Sequence, residues 1–220
     1  KGTSYEDRIL GSQAWLIEKA NQENKLIPGG VLNHIISFTM AMMEVKSSMG
    51  LIVAAPTAGS CGAVPGAIFG TAQYMNLDDD KIIKAILAAG IIGVFISEQA
   101  TFSAEVCGCQ AECGAASAMA AAGLVQLIGG NVKQGIDAAS IALQNMLGLI
   151  CDPVANRVEV PCLGRNVMAA TNALSAANMV IAGVDAVIPL DETIKAMYDV
   201  GIQLPSNLKC TARGGLSITK

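Results

Sequence analysis

AASAMAAAGLVQLIGG, residues 115–130, decides the fold. Its first nine residues contain nothing larger than Met119, and no charge interrupts the run. Alanine is the strongest helix former, so the stretch reads as a helix closed by Gly129-Gly130. It offers no polar face to water. A helix that is small and apolar all round must be packed on every side by other helices, and small side chains let those axes come close. The pattern extends outward in both directions, because apolar residues recur at helical spacing along most of the chain while strand-like alternation is scarce. Helices are expected over 4–24, 30–48, 64–75, 78–97, 110–128, 132–149, 164–182 and 191–201. Asp78 to Asp80 set negative charge before IIKAILAAGIIG, and Pro205 stops the last helix. The expected fold is all-α: a compact multi-helix bundle with buried Ala/Gly-rich helices. No repeat, linker or charge block divides residues 1–220, so one domain is expected.

Composition removes several partners. With 14 basic against 18 acidic residues and 4% aromatics, the chain has neither a basic face nor a stacking surface for nucleic acid. Hydrophobic residues reach 52%, which raises the question of a membrane. The charge-free stretch from Ser47 to Leu77 is broken by Pro56 and Pro65. Gly114 to Val132 and Asn166 to Val184 are long enough to span, yet Ala, Gly, Ser, Asn and Thr dominate them and aromatic anchors are missing, so no membrane span is expected. KGTSYEDRIL has no apolar signal region. Seven cysteines, an odd number, then fit reduced thiols in a cytoplasmic protein better than a disulfide framework.

Buried helices carry chemistry at their ends, and three loops stand out: AAPTAGSCGAVPG (54–66), EVCGCQAECG (105–114) and CDPVANRVEVPCLGRN (151–166). In the first, backbone N–H groups with the hydroxyls of Thr57 and Ser60 could cradle an anion such as a carboxylate. The same residues also describe an ordinary capped turn. No GxxxxGK[ST] pattern supports a nucleotide loop. Cys109, Cys151 and Cys162 lie in different loops, without the CxxC spacing of a zinc knuckle. A thiol-rich chain with one histidine suits iron–sulfur chemistry, and a cubane held by three thiolates keeps one iron open as a Lewis acid. The competing reading is seven buried thiols acting as small hydrophobes.

Four segments taken together, SMGLIVAAPTAGSCGAVPG (48–66), EVCGCQAECGAASAMAAAG (105–123), CDPVANRVEVPCLGRN (151–166) and LKCTARGGL (208–216), resemble the α subunit or α domain of the iron–sulfur-dependent L-serine dehydratases. The resemblance runs from about Gly29 onward. It implies a helical, pyridoxal-phosphate-independent lyase that converts L-serine to pyruvate and ammonia with a [4Fe-4S] cluster. By motif, the implied cluster ligands are Cys109, Cys151 and Cys162, with Cys107 and Cys113 as neighbours that could pair as a disulfide after cluster loss. Thr57, Gly59, Ser60 and Arg165 are the expected donors to the substrate carboxylate; Arg165 could instead satisfy loop carbonyls or offset thiolate charge. The general base stays open. His34 lies on an apolar helix, Lys46 and Lys84 need desolvation, and Glu98, Glu105 and Glu112 serve equally well as caps. A β subunit is the implied partner, within an oligomer, and an amino-terminal segment of relatives is expected to be absent here. Some single-chain relatives block the open iron with a carboxy-terminal cysteine, an arrangement not expected in a chain that ends SITK and whose last thiol is Cys210. Alternative readings are a related cluster lyase for L-cysteine or L-threonine, or a non-catalytic helical subunit holding structural zinc.

Overall fold

The computed structural model describes residues 8–219. Among them it contains nine α-helices and no strand: α1 Ala14–Gln22, α2 Val31–Ser47, α3 Ala63–Met75, α4 Asp79–Gln99, α5 Ala104–Cys107, α6 Ala115–Leu127, α7 Val132–Gln144, α8 Cys162–Ile181 and α9 Leu190–Gln203. The all-α reading holds. The central element is α6, whose residues from Ala115 to Val125 are all buried, with α3, α4, α7 and α8 packed around it. Alanine on every face makes this possible, since no direction of the helix carries a group that needs water.

The α2–α3 contact is closer still. Gly62, Gly66 and Gly70 recur every fourth residue and present one face of α3 to α2. A Cβ added at Gly66 would lie 2.8 Å from Thr39 Cα, and one at Gly70 would lie 2.9 Å from Ile35 Cα. The backbones themselves are in contact there, so the glycines carry a packing role that the turn reading of this loop did not include.

Three boundaries depart from expectation. Of the helix expected over 4–24, residues 4–7 lie outside the described residues, and α1 begins only at Ala14, where the buried carboxylate of Glu44 on α2 accepts from the N–H groups of Gln13 (2.5 Å) and Ala14 (2.7 Å). Its cap comes from another helix. The helix expected over 110–128 opens with a π-helical turn, Gln110–Gly114, before α6. α7 starts with a reciprocal cap between Asn131 and Gln134 and ends at Gln144. Cis prolyl bonds at Ala55–Pro56 and Val160–Pro161 lie in the loops 54–66 and 151–166.

α4 differs from the rest. It is the one helix among the described residues that is long and apolar enough to cross a membrane by length and composition, although the sequence directed attention to 114–132 and 166–184. Toward α6 it turns small residues, Ala85, Ala89 and Gly93, with Ile92 and Ile96; outward it turns Ile83, Leu87, Ile91 and Val94.

Candidate functional site

The turn at 57–62, the π-helical turn after Cys109 and the start of α8 meet at one place, and Asn166 is the residue that joins them. Its Oδ1 accepts from the N–H groups of Gly62 (3.0 Å) and Ala63 (3.1 Å), while its Nδ2 donates to the carbonyls of Gly59 (2.8 Å) and Cys162 (2.9 Å). The side chain is wholly buried. Four backbone groups, three from one loop 103 to 107 residues away and one from its own helix, are thereby bonded at once. Gln110 does the same on the other side of the cysteine loop, donating to the carbonyls of Cys107 and Met197 and accepting from Gly148 N–H.

This scaffold buries Cys109, Cys151 and Cys162, with Cys109 near enough to each of the other two to act on it. Burial pushes the Cys162 thiol up to about 12, and the charge of Cys109 adds to the effect. Burial raises Cys151 further, again with Cys109 contributing. Cys109 moves the other way, because the Cys113 thiol donates to its sulfur, and Cys113 is raised correspondingly. Thiols in this condition ionise only against a compensating positive charge, which is the condition a bound iron cluster meets. Among the described residues no three His, Cys, Asp or Glu side chains are set to hold a single metal ion. A multi-iron cluster would take one thiolate per iron, so it would not need three side chains around a single ion.

The other expected residues divide into those at this place and those away from it. Thr57 Oγ1 donates to Glu112 Oε1 at 2.7 Å and lies 3.0 Å from Ser60 Oγ. Gly59 is the residue that lets Glu112 approach, since a Cβ there would stand 2.8 Å from Oε1. Burial raises the Glu112 pKa, with the Thr57 hydroxyl opposing. Arg165 is engaged: Nη1 donates to Ile150 O (2.9 Å) and sits 2.7 Å from Asp152 Oδ1. Its charge still reaches Cys109 and Cys162. Both alternative roles weighed for this arginine are therefore present in its contacts.

Lys46, at the end of α2, donates to Val158 O and faces the same group. Burial pulls its pKa below the ordinary lysine value, against the opposing pull of Cys162, Cys61, Glu159 and Glu112. Of the remaining base candidates, His34, Lys84 and Glu98 are elsewhere, whereas Glu105 stands within electrostatic reach of Glu112. His34 lies twelve residues away on α2, about 18 Å along the axis, with its ring 5.4 Å from that of Tyr74. Lys84 and Glu98 are exposed on α4, and Glu105 is exposed beside Ser103. Cys107 packs against Gly201 of α9 while Cys113 faces Cys109, so the two thiols considered for a disulfide point to different neighbours.

Several residues escaped the sequence reading. Asn166 stands one turn after Cys162 and shares its helix face, the only local sign of its role. Asp152 and Glu159 are buried carboxylates between two of the thiols: Asp152 accepts from Leu216 N–H (2.7 Å), and Glu159 accepts from the N–H groups of Ile9 and Leu10. Cys210 lies beside Cys151 and hydrogen-bonds to it.

Known proteins share this arrangement of sequence. The family described as serine dehydratase alpha chain matches residues 1–217. A probable L-serine dehydratase alpha chain of Bacillus subtilis is 42% identical over 219 residues, covering 100% of this chain and 73% of that protein. The L-serine dehydratase alpha chain of Peptoniphilus asaccharolyticus is 44% identical over 203 residues, 92% of this chain and 69% of the other. An L-serine dehydratase of Streptomyces coelicolor is 38% identical across 99% of this chain, which accounts for 50% of that longer protein. With the match running through all three site loops, the chain belongs to the serine dehydratase alpha chain family.

Proposed function

We propose that this chain is the catalytic part of an L-serine ammonia-lyase that forms pyruvate and ammonia, and that Cys109, Cys151 and Cys162 hold a [4Fe-4S] cluster. The observation that carries the proposal is the convergence of three buried thiols from separate loops, with Cys109 near enough to act on both Cys151 and Cys162, beside the network by which Asn166 ties the turn at 57–63 to the start of α8. Such a cluster, when bound, supplies a Lewis-acidic iron that weakens the bond to the β-hydroxyl of serine.

The chain's own residues account for the rest of the reaction. Thr57, Gly59 and Ser60 receive the substrate carboxylate, and the Thr57 hydroxyl turns from Glu112 to do so. Glu112, already raised by burial, takes up a proton as that negative charge arrives. Lys46 accepts the α-proton, since partial burial favours its neutral form and it is the one base candidate among His34, Lys46 and Lys84 placed at the thiols. Arg165, held by Asp152 and Ile150 O, offsets thiolate charge rather than acting as a free fork. Loss of water from serine leaves an enamine that tautomerises and is hydrolysed to pyruvate and ammonia. A reducing cytoplasm suits a chain whose seven cysteines are all free. The alpha chain names of the relatives support a β subunit as partner.

Anaerobic reconstitution with iron and sulfide, followed by visible spectroscopy and a pyruvate assay on L-serine with and without a β chain, tests this. A brown protein that forms pyruvate, with both properties lost in Cys151→Ala, is the expected result. A colourless protein that takes up zinc would overturn it, and turnover of L-cysteine or L-threonine in place of L-serine would reassign the substrate.

A further inference from the structure

α4 is built inside-out by size. Its inward face carries mostly small residues, while Ile83, Leu87, Ile91 and Val94 are 54, 63, 54 and 56% exposed. Phe95 continues this surface, with Val132 and Val187 flanking it across two hollows that share Phe95. Together these side chains present on the order of 800 Å² of mainly apolar surface, more than the largest patch of a typical monomer and about one partner's share of a standard interface.

We propose that this face pairs with the same face of a second copy of the chain, α4 against α4, antiparallel about a two-fold axis at Ile91. The charges choose this arrangement. Residues 84, 87, 91, 94 and 98 follow the alternating three-and-four spacing of a helix–helix seam, and the seam is Lys84, Leu87, Ile91, Val94, Glu98. Lys84 and Glu98 are both exposed and equidistant from Ile91. An antiparallel two-fold therefore sets Lys84 against Glu98 of the other copy twice, whereas a parallel pair would oppose Lys84 to Lys84 and Glu98 to Glu98. The same operation places Leu87 over Phe95 of the other copy and Ile83 over the hollow lined by Phe95, Gln99 and Val187. Gly90 beside the axis has open space where a side chain would stand, so the two helices can approach closely.

Sedimentation equilibrium of the full chain over a wide concentration range tests the proposal. The expected mass is twice 22.5 kDa. Ile91→Asp should raise the dimer dissociation constant at least about 100-fold, with helical circular dichroism unchanged because the side chain is exposed. Lys84→Glu and Glu98→Lys should each weaken the dimer about 10-fold, and the double variant should restore it, because both pairs are then reversed in sign. Since neither charge supports the fold, this pair decides the matter even if Ile91→Asp misfolds. A monomer at every concentration, a dimer indifferent to these changes, solubility only in detergent, or protection of α4 only when a different chain or a lipid vesicle is added would each overturn it.

Discussion

Asn166 shows what one side chain can hold. Its replacement by alanine leaves two N–H groups, of Gly62 and Ala63, and the carbonyl of Gly59 without their side-chain partner, and it removes the second bond to the Cys162 carbonyl. The expected cost is on the order of 3 kcal/mol, read from the urea midpoint, and the turn at 57–63 should separate from the start of α8, lowering the iron retained on reconstitution. Lys46 separates activity from stability. Its pKa is lowered in the folded chain, so the unfolded state binds more protons and stability rises with pH as the amine loses its proton; below that window the cost of a buried ammonium is fully present. Lys46→Met in the protein without iron should therefore raise the melting temperature at neutral pH, with the gain shrinking toward the ordinary lysine pKa, while turnover of the loaded enzyme falls at least about 100-fold. A variant that is both active and less stable would remove Lys46 from the mechanism. Thr57, Arg165 and the thiols were legible as motif residues. Asn166 was not, because its partners are backbone groups brought to it by the fold from far away in sequence.

At the level of elements, glycine has opposite meanings on two helices. Gly→Ala inside a helix ordinarily stabilises by about 0.5–1 kcal/mol. Gly135 on α7 should follow that rule, because an added Cβ meets only Ala122 Cβ at 3.9 Å. Gly66 should reverse it. The new methyl would lie 2.8 Å from Thr39 Cα, which is backbone and cannot swing aside, so α2 and α3 must separate and Gly66→Ala should cost about 2–4 kcal/mol. Thermal unfolding of the two variants side by side checks the sign of each, and a neutral Gly66→Ala would show that the helices tolerate the shift. The helices themselves were legible because periodicity is a local signal. The start of α1 was not, because Glu44 caps it from the next helix, and the π-helical turn was hidden because Gln110 to Gly114 fit a helical pattern as well as their neighbours do.

Across the whole molecule, the segment 204–219 forms a strap over Cys151. Cys151 N–H donates to Leu208 O (3.0 Å), Leu216 N–H donates to Asp152 (2.7 Å), and Ser217 Oγ donates to Pro153 O (2.9 Å). Asp152 then passes the connection to Arg165 on α8. LKCTARGGL was readable as a motif, but the reason for its glycines needed the fold: Gly215 has φ +59°, and a Cβ there would stand 2.8 Å from that of Asp152. Alanine at this position is strained twice, in its backbone and against the carboxylate that anchors the strap. Gly215→Ala should thus free the strap and leave the bundle folded. Cys151, 4% exposed in the parent, should then be alkylated by iodoacetamide at least about ten times faster, as local opening replaces deep burial. Cys113, 1% exposed and held within the bundle beside Cys109, is the internal control. Peptide mass spectrometry that finds Cys151 labelled ahead of Cys113 locates the opening at the strap, whereas equal acceleration of both thiols would mean that the bundle itself had loosened and that the strap is not an independent cover over Cys151.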